Sequence, residues 1–144
     1  MIKYLYLLLF LVLGANISCK KGGSLNNPLL EQYFATNVLN RNFIVSLAQD
    51  SSADLTSSYS GETFILLETD YYHGDLQATK NGTVYTGSWS CNDDYSKLTI
   101  TLPNPPSEFA FLARAWRFTS KNLPTMKLAP WGSTAPIALN MYRQ

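Results

Sequence analysis

The chain has few of the residue types on which most active sites depend. Its 144 residues include one histidine, His73, and two cysteines, Cys19 and Cys91. So few imidazole and thiol groups exclude a His/Cys metal cluster and a disulfide-rich scaffold. Charged residues make up 15% of the chain, below the ~25% of ordinary soluble domains. The net charge of +1 argues against a dedicated nucleic-acid-binding protein, which normally carries a basic surplus.

Assembled catalytic groups are also scarce. No serine lies in a G-x-S-x-G motif. His73 and Asp75 share one side of a predicted strand, where we expect a solvated pair rather than a catalytic one. Asp93 and Asp94 are adjacent, and this favours turn formation over an acid/base pair or a calcium loop, both of which need spaced ligands. We therefore expect no enzymatic activity, no metal and no cofactor.

The N-terminal segment has the organisation of an export signal. Lys3 supplies a positive start, and residues 4–15 form an almost unbroken apolar run. This run is shorter than the ~20 residues that a bilayer-spanning helix needs. The pattern favours a secretory signal peptide over a buried core helix.

A small residue, Ser18, directly precedes Cys19, and this junction resembles the lipobox of bacterial lipoproteins. The resemblance implies that residues 1–18 are removed and that Cys19 is lipidated, each buried CH₂ contributing ~0.8 kcal/mol of membrane attachment. Residues 19–27 are polar and Gly-rich, as expected of a flexible tether. Because Lys20 is not Asp and no acidic cluster follows, the resemblance also implies the outer membrane, with the domain facing the periplasm rather than the cell surface.

One helix is predicted at the start of the mature domain. Asn27 can cap its N-terminus and Pro28 suits the first turn. The apolar residues that follow have helical spacing, which predicts a helix over residues 28–39; they are Leu30, Tyr33, Phe34 and Val38. We expect this apolar stripe to plug the main core, the alternative being a surface for a partner.

The rest of the chain has the signature of an all-β fold. Short alternating or apolar runs are separated by turn residues, a pattern typical of a barrel or sandwich. Eight strands are predicted, over residues 43–47, 63–67, 74–80, 83–91, 98–102, 115–119, 125–129 and 137–142.

The Asn81-Gly82 pair predicts a two-residue hairpin turn, because both residues tolerate positive φ. This turn sets a register in which Trp89 faces Gly74 and Tyr85 faces Ala78, all on one apolar face. The small residues leave room for the rings. Cys91 ends the same face opposite Tyr72, where we expect a buried thiol rather than a reactive one.

Several segments together resemble the small lipocalin-like lipoproteins of Bacteroidetes. They are YSGETF (59–64), the Asn-Gly-Thr turn, TGSW (86–89), KLTITLP (97–103), ARAWRF (113–118) and ALNMYR (138–143). The resemblance implies an eight-stranded antiparallel up-and-down barrel with one short N-terminal helix, over residues 28–144.

Two functions are compatible with such a barrel, whose interior is either filled or holds one small ligand. The first is a binding module for a small apolar or amphipathic ligand at the barrel mouth, lined by Tyr72, Tyr85, Trp89 and Trp116. The second is an interaction subunit with a solid barrel that docks on an outer-membrane protein complex.

The lipid anchor can be tested directly. We expect Cys19→Ser to abolish incorporation of a labelled fatty acid and to leave the signal peptide uncleaved, because the acyl-accepting sulfur is lost. Metabolic labelling followed by mass measurement checks this, with Cys91→Ser as the matched control that keeps the label. Acylation of the Cys19→Ser protein would contradict the anchor.

Overall fold

The computed structural model describes residues 28–144. The predicted signal peptide and tether, including Cys19, lie outside these residues. Within the described part of the chain, no helix is long and apolar enough to cross a bilayer.

The described chain starts with one helix and continues as strands. The helix α1 spans Pro28–Asn37 and ends two residues before the predicted boundary. Two 3₁₀ turns, Thr56–Tyr59 and Phe109–Phe111, interrupt the strands. The strands are β1 (Asn42–Asp50), β2 (Ala53–Asp54), β3 (Thr63–Leu66), β4 (His73–Lys80), β5 (Thr83–Cys91), β6 (Lys97–Thr101), β7 (Ala115–Ser120), β8 (Thr125–Pro130) and β9 (Ile137–Arg143).

Eight of these strands form a closed antiparallel barrel. Strands β3 to β9 each pair with the next, β3 also pairs with β1, and β1 pairs with β9 to close the wall. The short β2 pairs only with the end of β1, at Gln49 and Asp50. The predicted eight-stranded up-and-down barrel with one short helix is therefore confirmed. β2 and the first 3₁₀ turn lie in a segment that the sequence marks only as a polar loop.

The helix and the 3₁₀ turns lie at opposite ends of the barrel. At one end, α1 leads into β1 and lies near the β3–β4 connection; we call this the helix end. At the other, the two 3₁₀ turns lie beside the Asn81-Gly82 hairpin turn; we call this the turn end. Antiparallel connectivity places each loop at one end or the other.

The predicted hairpin register is confirmed. Gly74 pairs with Trp89 and Ala78 pairs with Tyr85. The turn residues Asn81 and Gly82 have φ angles of 49° and 79°, as a type I′ turn requires. Side chains alternate accordingly between a buried and an exposed face along β4 and β5.

Large rings fill the barrel interior from both ends. From the helix end, the ring of Phe34 lies 4.7 Å from that of Tyr95 and 5.8 Å from that of Trp89. From the turn end, the ring of Phe109 lies 5.6 Å from that of Phe64. The helix therefore acts as the expected plug, and aromatic burial of this kind supplies much of the apolar stabilisation of a small domain.

Gly74 makes room for Trp89, and its replacement tests this packing. A Cβ atom on Gly74 would overlap the carbonyl oxygen of Leu67 and lie 2.9 Å from Nε1 of Trp89. We expect Gly74→Ala to lower the free energy of unfolding by ~3 kcal/mol, because overpacking displaces backbone and ring. Urea denaturation measures the loss.

Gly82→Ala is the control, because nothing lies within 4 Å of the added Cβ atom and only the φ of +79° is unfavourable. Its expected cost is ~1 kcal/mol. Equal losses in the two variants would contradict the packing role of Gly74.

Candidate binding site at the turn end

Strand alternation brings two charged side chains to the inner rim of the turn end. Thr63 pairs with Thr79 and Phe64 with Ala78. Continuing this register by one residue sets Glu62 opposite Lys80, with the same inward orientation as Phe64 and Ala78. Glu62 is only 2% exposed, so a carboxylate is buried at the rim of an otherwise apolar core.

Lys80 connects two carboxylates from different segments. Its Nζ lies 3.6 Å from Oε1 of Glu62 and is in direct contact with Oε1 of Glu108. The hydroxyl of Tyr59 donates a hydrogen bond to the backbone carbonyl of Glu108. Lys80 and Tyr59 thus hold the two 3₁₀ turns over this end of the barrel. We call Glu62, Lys80 and Glu108 the turn-end cluster.

Compensation for the buried charge of Glu62 is incomplete. Burial raises the pKa of Glu62, and the charge of Lys80 offsets this only in part. Oε2 of Glu62 has no hydrogen-bond partner in the described part of the chain. The same environment raises the pKa of Tyr59, through burial first and the negative charge of Glu62 second. The rim therefore carries an acceptor whose hydrogen-bonding capacity is unused.

Two grooves flank the cluster, one on each side of Tyr59. The Lys80 groove has a volume of about 470 Å³, and its walls include Leu55, Phe111 and the polar groups of Lys80 and Glu108. The Glu62 groove has a volume of about 500 Å³, and its walls include Ile44, Val45, Glu62 and Thr63. Both combine apolar walls with charged groups at one edge.

The Glu62 groove exists because the barrel wall is incomplete between β1 and β3. These strands share only two register pairs, Asn42 with Ile65 and Phe43 with Phe64. The first 3₁₀ turn covers the remaining gap. It is held there by Ala48, whose N–H donates to Oγ1 of Thr56 and whose carbonyl accepts from the N–H of Leu55.

A second buried carboxylate lies at the helix end. Glu31 of α1 is 1% exposed, and its Oε1 accepts a hydrogen bond from the hydroxyl of Tyr72. Tyr72 stacks on Tyr95 with ring centroids 5.4 Å apart. Among the residues that the structure describes, Oε2 of Glu31 has no hydrogen-bond partner, and a groove of about 390 Å³ lies alongside, with Gln32 and Tyr71 in its walls.

The four predicted lining residues do not lie in one site. Trp89 and Trp116 are 1% and 0% exposed and occupy the filled interior. Tyr72 is half-buried at the helix end, against Glu31. Tyr85 packs at the turn end, with its ring 5.5 Å from that of Phe109. Tyr85 pairs with Ala78, two residues before Lys80, so it lies at the same end of the barrel as the turn-end cluster.

Neither His73 nor the thiol of Cys91 has the environment of a catalytic group. His73 lies on the polar face as expected, but its Nδ1 is 2.9 Å from Oδ2 of Asp70 rather than beside Asp75. Both side chains are well exposed, as expected of a solvated pair. Cys91 is a free, half-buried thiol. Burial raises its pKa to about 12, against the opposing charge of Lys121, so the thiol is protonated at neutral pH.

Arg114 and Asp94 also have defined partners in the structure. The guanidinium of Arg114 lies 4.8 Å from the ring centre of Phe111 and 5.3 Å from that of Trp116, so it packs on aromatic faces. Asp94 caps its turn by accepting from the N–H of Ser96. Among residues 28–144, no group of three or more His, Cys, Asp or Glu side chains could hold a metal ion.

Sequence reasoning missed the turn-end cluster, although one part of it had a signal. The inward row Leu76, Ala78 of β4 continues to Lys80, so a cation at the inner rim follows from the hairpin register. Glu62 directly precedes β3 and shares the inward parity of Phe64, but its burial depends on the first 3₁₀ turn. Glu108 had no comparable signal, because it reaches Lys80 from an irregular loop.

Comparison of the chain with protein-family models, curated proteins and solved structures finds no match.

The unpaired carboxylate of Glu62 predicts a particular pH dependence. With a raised pKa, Glu62 binds its proton more tightly in the folded state, so its ionisation destabilises the fold above that pKa. This cost disappears as the pH falls through the raised pKa towards the ordinary glutamate range. We expect Glu62→Gln to have a higher free energy of unfolding than wild type at pH 7, and the two to converge near pH 4.

Urea unfolding across this pH range measures the difference. Lys80 retains Glu108 as a partner in the variant, so the comparison isolates Glu62. Glu68→Gln, at the exposed helix end, serves as the control and should track wild type at every pH. A Glu62→Gln protein that is less stable than wild type at pH 7 would show that the Lys80 ion pair outweighs the cost of burial.

Proposed function

We propose that the protein is a non-enzymatic, lipid-anchored envelope lipoprotein whose barrel binds a small amphipathic ligand at the turn end. The lipobox-like junction at Cys19 supports the membrane anchor, and Lys20 together with the lack of an acidic cluster after Cys19 supports an outer-membrane location facing the periplasm. The single observation that carries the binding proposal is the juxtaposition of charged groups and apolar walls at the barrel mouth.

The Lys80 groove illustrates this juxtaposition. Leu55, Tyr59 and Phe111 form an apolar wall, and Lys80 and Glu108 lie at its edge. Small-molecule sites have mostly apolar linings with a few polar groups that orient the ligand, in volumes of ~300–1,000 Å³. An amphipathic molecule fits this arrangement because it offers one group to each kind of wall.

Because the interior is filled, we assign the ligand to the rim of the barrel rather than to its axis. Trp89, Trp116 and Phe109 are each at most 1% exposed and occupy the volume that a hollow barrel would offer. Protein interiors are close-packed, so a ligand among these rings would have to displace them. The grooves at the turn end need no such displacement.

A second candidate function is an interaction subunit of an outer-membrane protein complex. The filled interior supports it, because it is the solid barrel that this alternative requires. The exposed apolar surface at the helix end supports it too, where Leu29 is 80%, Tyr71 38% and Tyr33 36% exposed. Exposed aromatic residues are enriched at protein interfaces. The two candidates differ in what accompanies the protein: a small molecule or another polypeptide.

Native mass spectrometry of the full-length protein, extracted from its own membrane, tests the proposal. We expect wild type to carry a non-covalent small-molecule adduct. Leu55→Lys places a charge in the apolar wall of the Lys80 groove and Ile44→Lys places one in that of the Glu62 groove, and we expect the variant of the occupied groove to lose the adduct. Val84→Lys is the matched control, since Val84 is 50% exposed on the outer face of β5; this variant should retain the adduct.

Two other results would contradict binding at the turn end. Retention of the adduct by both Leu55→Lys and Ile44→Lys would place the ligand elsewhere. Co-extraction of a second polypeptide with no small-molecule adduct would support the interaction subunit instead.

A further inference from the structure

We propose that Glu62 selects the ligand's head group, which is an organic ammonium, and that the ligand's apolar part occupies the Glu62 groove. The inference rests on the proposed binding function and goes further by naming the chemical class of the ligand, an amphipathic amine.

The first step is the unused acceptor. Glu62 is 2% exposed and its Oε2 has no hydrogen-bond partner among residues 28–144, while Oε1 lies 3.6 Å from Nζ of Lys80. A buried polar atom without a partner costs free energy, and the cost is larger when the group is charged. An ammonium brings up to three N–H donors and a compensating charge, so it supplies what Oε2 lacks.

The second step is the local charge balance. The turn-end cluster contains two carboxylates and one ammonium, and the ammonium of Lys80 is shared between Glu62 and Glu108. An anionic head group would meet the uncompensated charge of Glu62 and be repelled. A cationic head group would complete an alternating arrangement of charges, which is the favourable one in a partly desolvated site.

The third step is the shape and chemistry of the groove. Ile44, Val45 and the ring of Tyr59 provide apolar walls, within a volume of about 500 Å³. This suits a short alkyl or aryl chain attached to the ammonium. Among residues 28–144, Glu62 has the one carboxylate side chain in the walls of this groove, whereas Ca²⁺ takes six to eight oxygen ligands, so an ammonium with an apolar substituent suits the groove better than a calcium ion.

Isothermal titration calorimetry with three probes of equal chain length tests the head group. The probes are octylammonium, octanoate and octanol, titrated into the full-length lipoprotein in detergent. We expect octylammonium to bind more tightly than octanol and octanoate to bind least. This comparison uses wild-type protein alone, so it does not depend on any variant folding.

Substitution of the carboxylate tests the residue. Glu62→Gln keeps the size of the side chain and removes its charge, and we expect octylammonium to bind this variant about tenfold or more weakly, as for the loss of a hydrogen bond to a charged group. Glu68→Gln removes an exposed carboxylate at the helix end and should bind like wild type. Chemical-shift changes at the amides of Glu62 and Thr63 should accompany binding.

The outcomes separate this inference from the function on which it rests. Equal affinities for the three probes, or unchanged octylammonium affinity in Glu62→Gln, would overturn the head-group assignment and leave the binding function standing. Failure of all three probes to bind would also overturn the assignment, and the adduct in the native mass spectrum would then decide the function alone.

Discussion

The packing of Trp89 in the barrel interior is the contact on which the rest of the structure depends. Its ring faces Gly74 across the β4–β5 hairpin, its Nε1 donates a 2.7 Å hydrogen bond to the carbonyl of Leu67, and Phe34 of the helix packs on it. One side chain thereby joins the hairpin, the β3–β4 connection and the plug at the helix end. A buried indole satisfies both requirements of such a position, because it supplies apolar area and places its single donor on a backbone acceptor.

Filling the interior has a direct consequence for chemistry. With rings along the axis, polar groups that face inwards can be accommodated only at the two ends, where water and loops supply partners. The structure follows this rule: Glu31 is buried at the helix end and Glu62 at the turn end, each with one carboxyl oxygen that has no hydrogen-bond partner within residues 28–144. Buried charge without full compensation is uncommon in a core built only for stability. For this reason the ends of the barrel, rather than its axis, are where we place function.

Much of the fold could be predicted because its signals are local. The Asn81-Gly82 turn determines the β4–β5 register through backbone φ preferences, and the helical spacing of Phe34 and Val38 identifies the plug. The candidate site was far less predictable. Lys80 follows from the hairpin parity, but Glu108 belongs to a loop after β6, and Glu62 is buried only because the first 3₁₀ turn covers the gap between β1 and β3. Loop conformations of this kind depend on contacts distant in sequence, which no local pattern records.

The sequence by itself determined the strand alternation, the hairpin register and the scarcity of titratable groups, because these depend on residue type and on neighbours along the chain. Tertiary structure alone decided that the interior is filled, that His73 pairs with Asp70 instead of Asp75, and that three charged residues far apart in the chain meet at one rim. The physical reason is that burial and ion pairing are properties of a closed barrel. Closure of the barrel by β1 and β9 determines which side chains are buried, and Glu62 is a candidate site residue because it is among them.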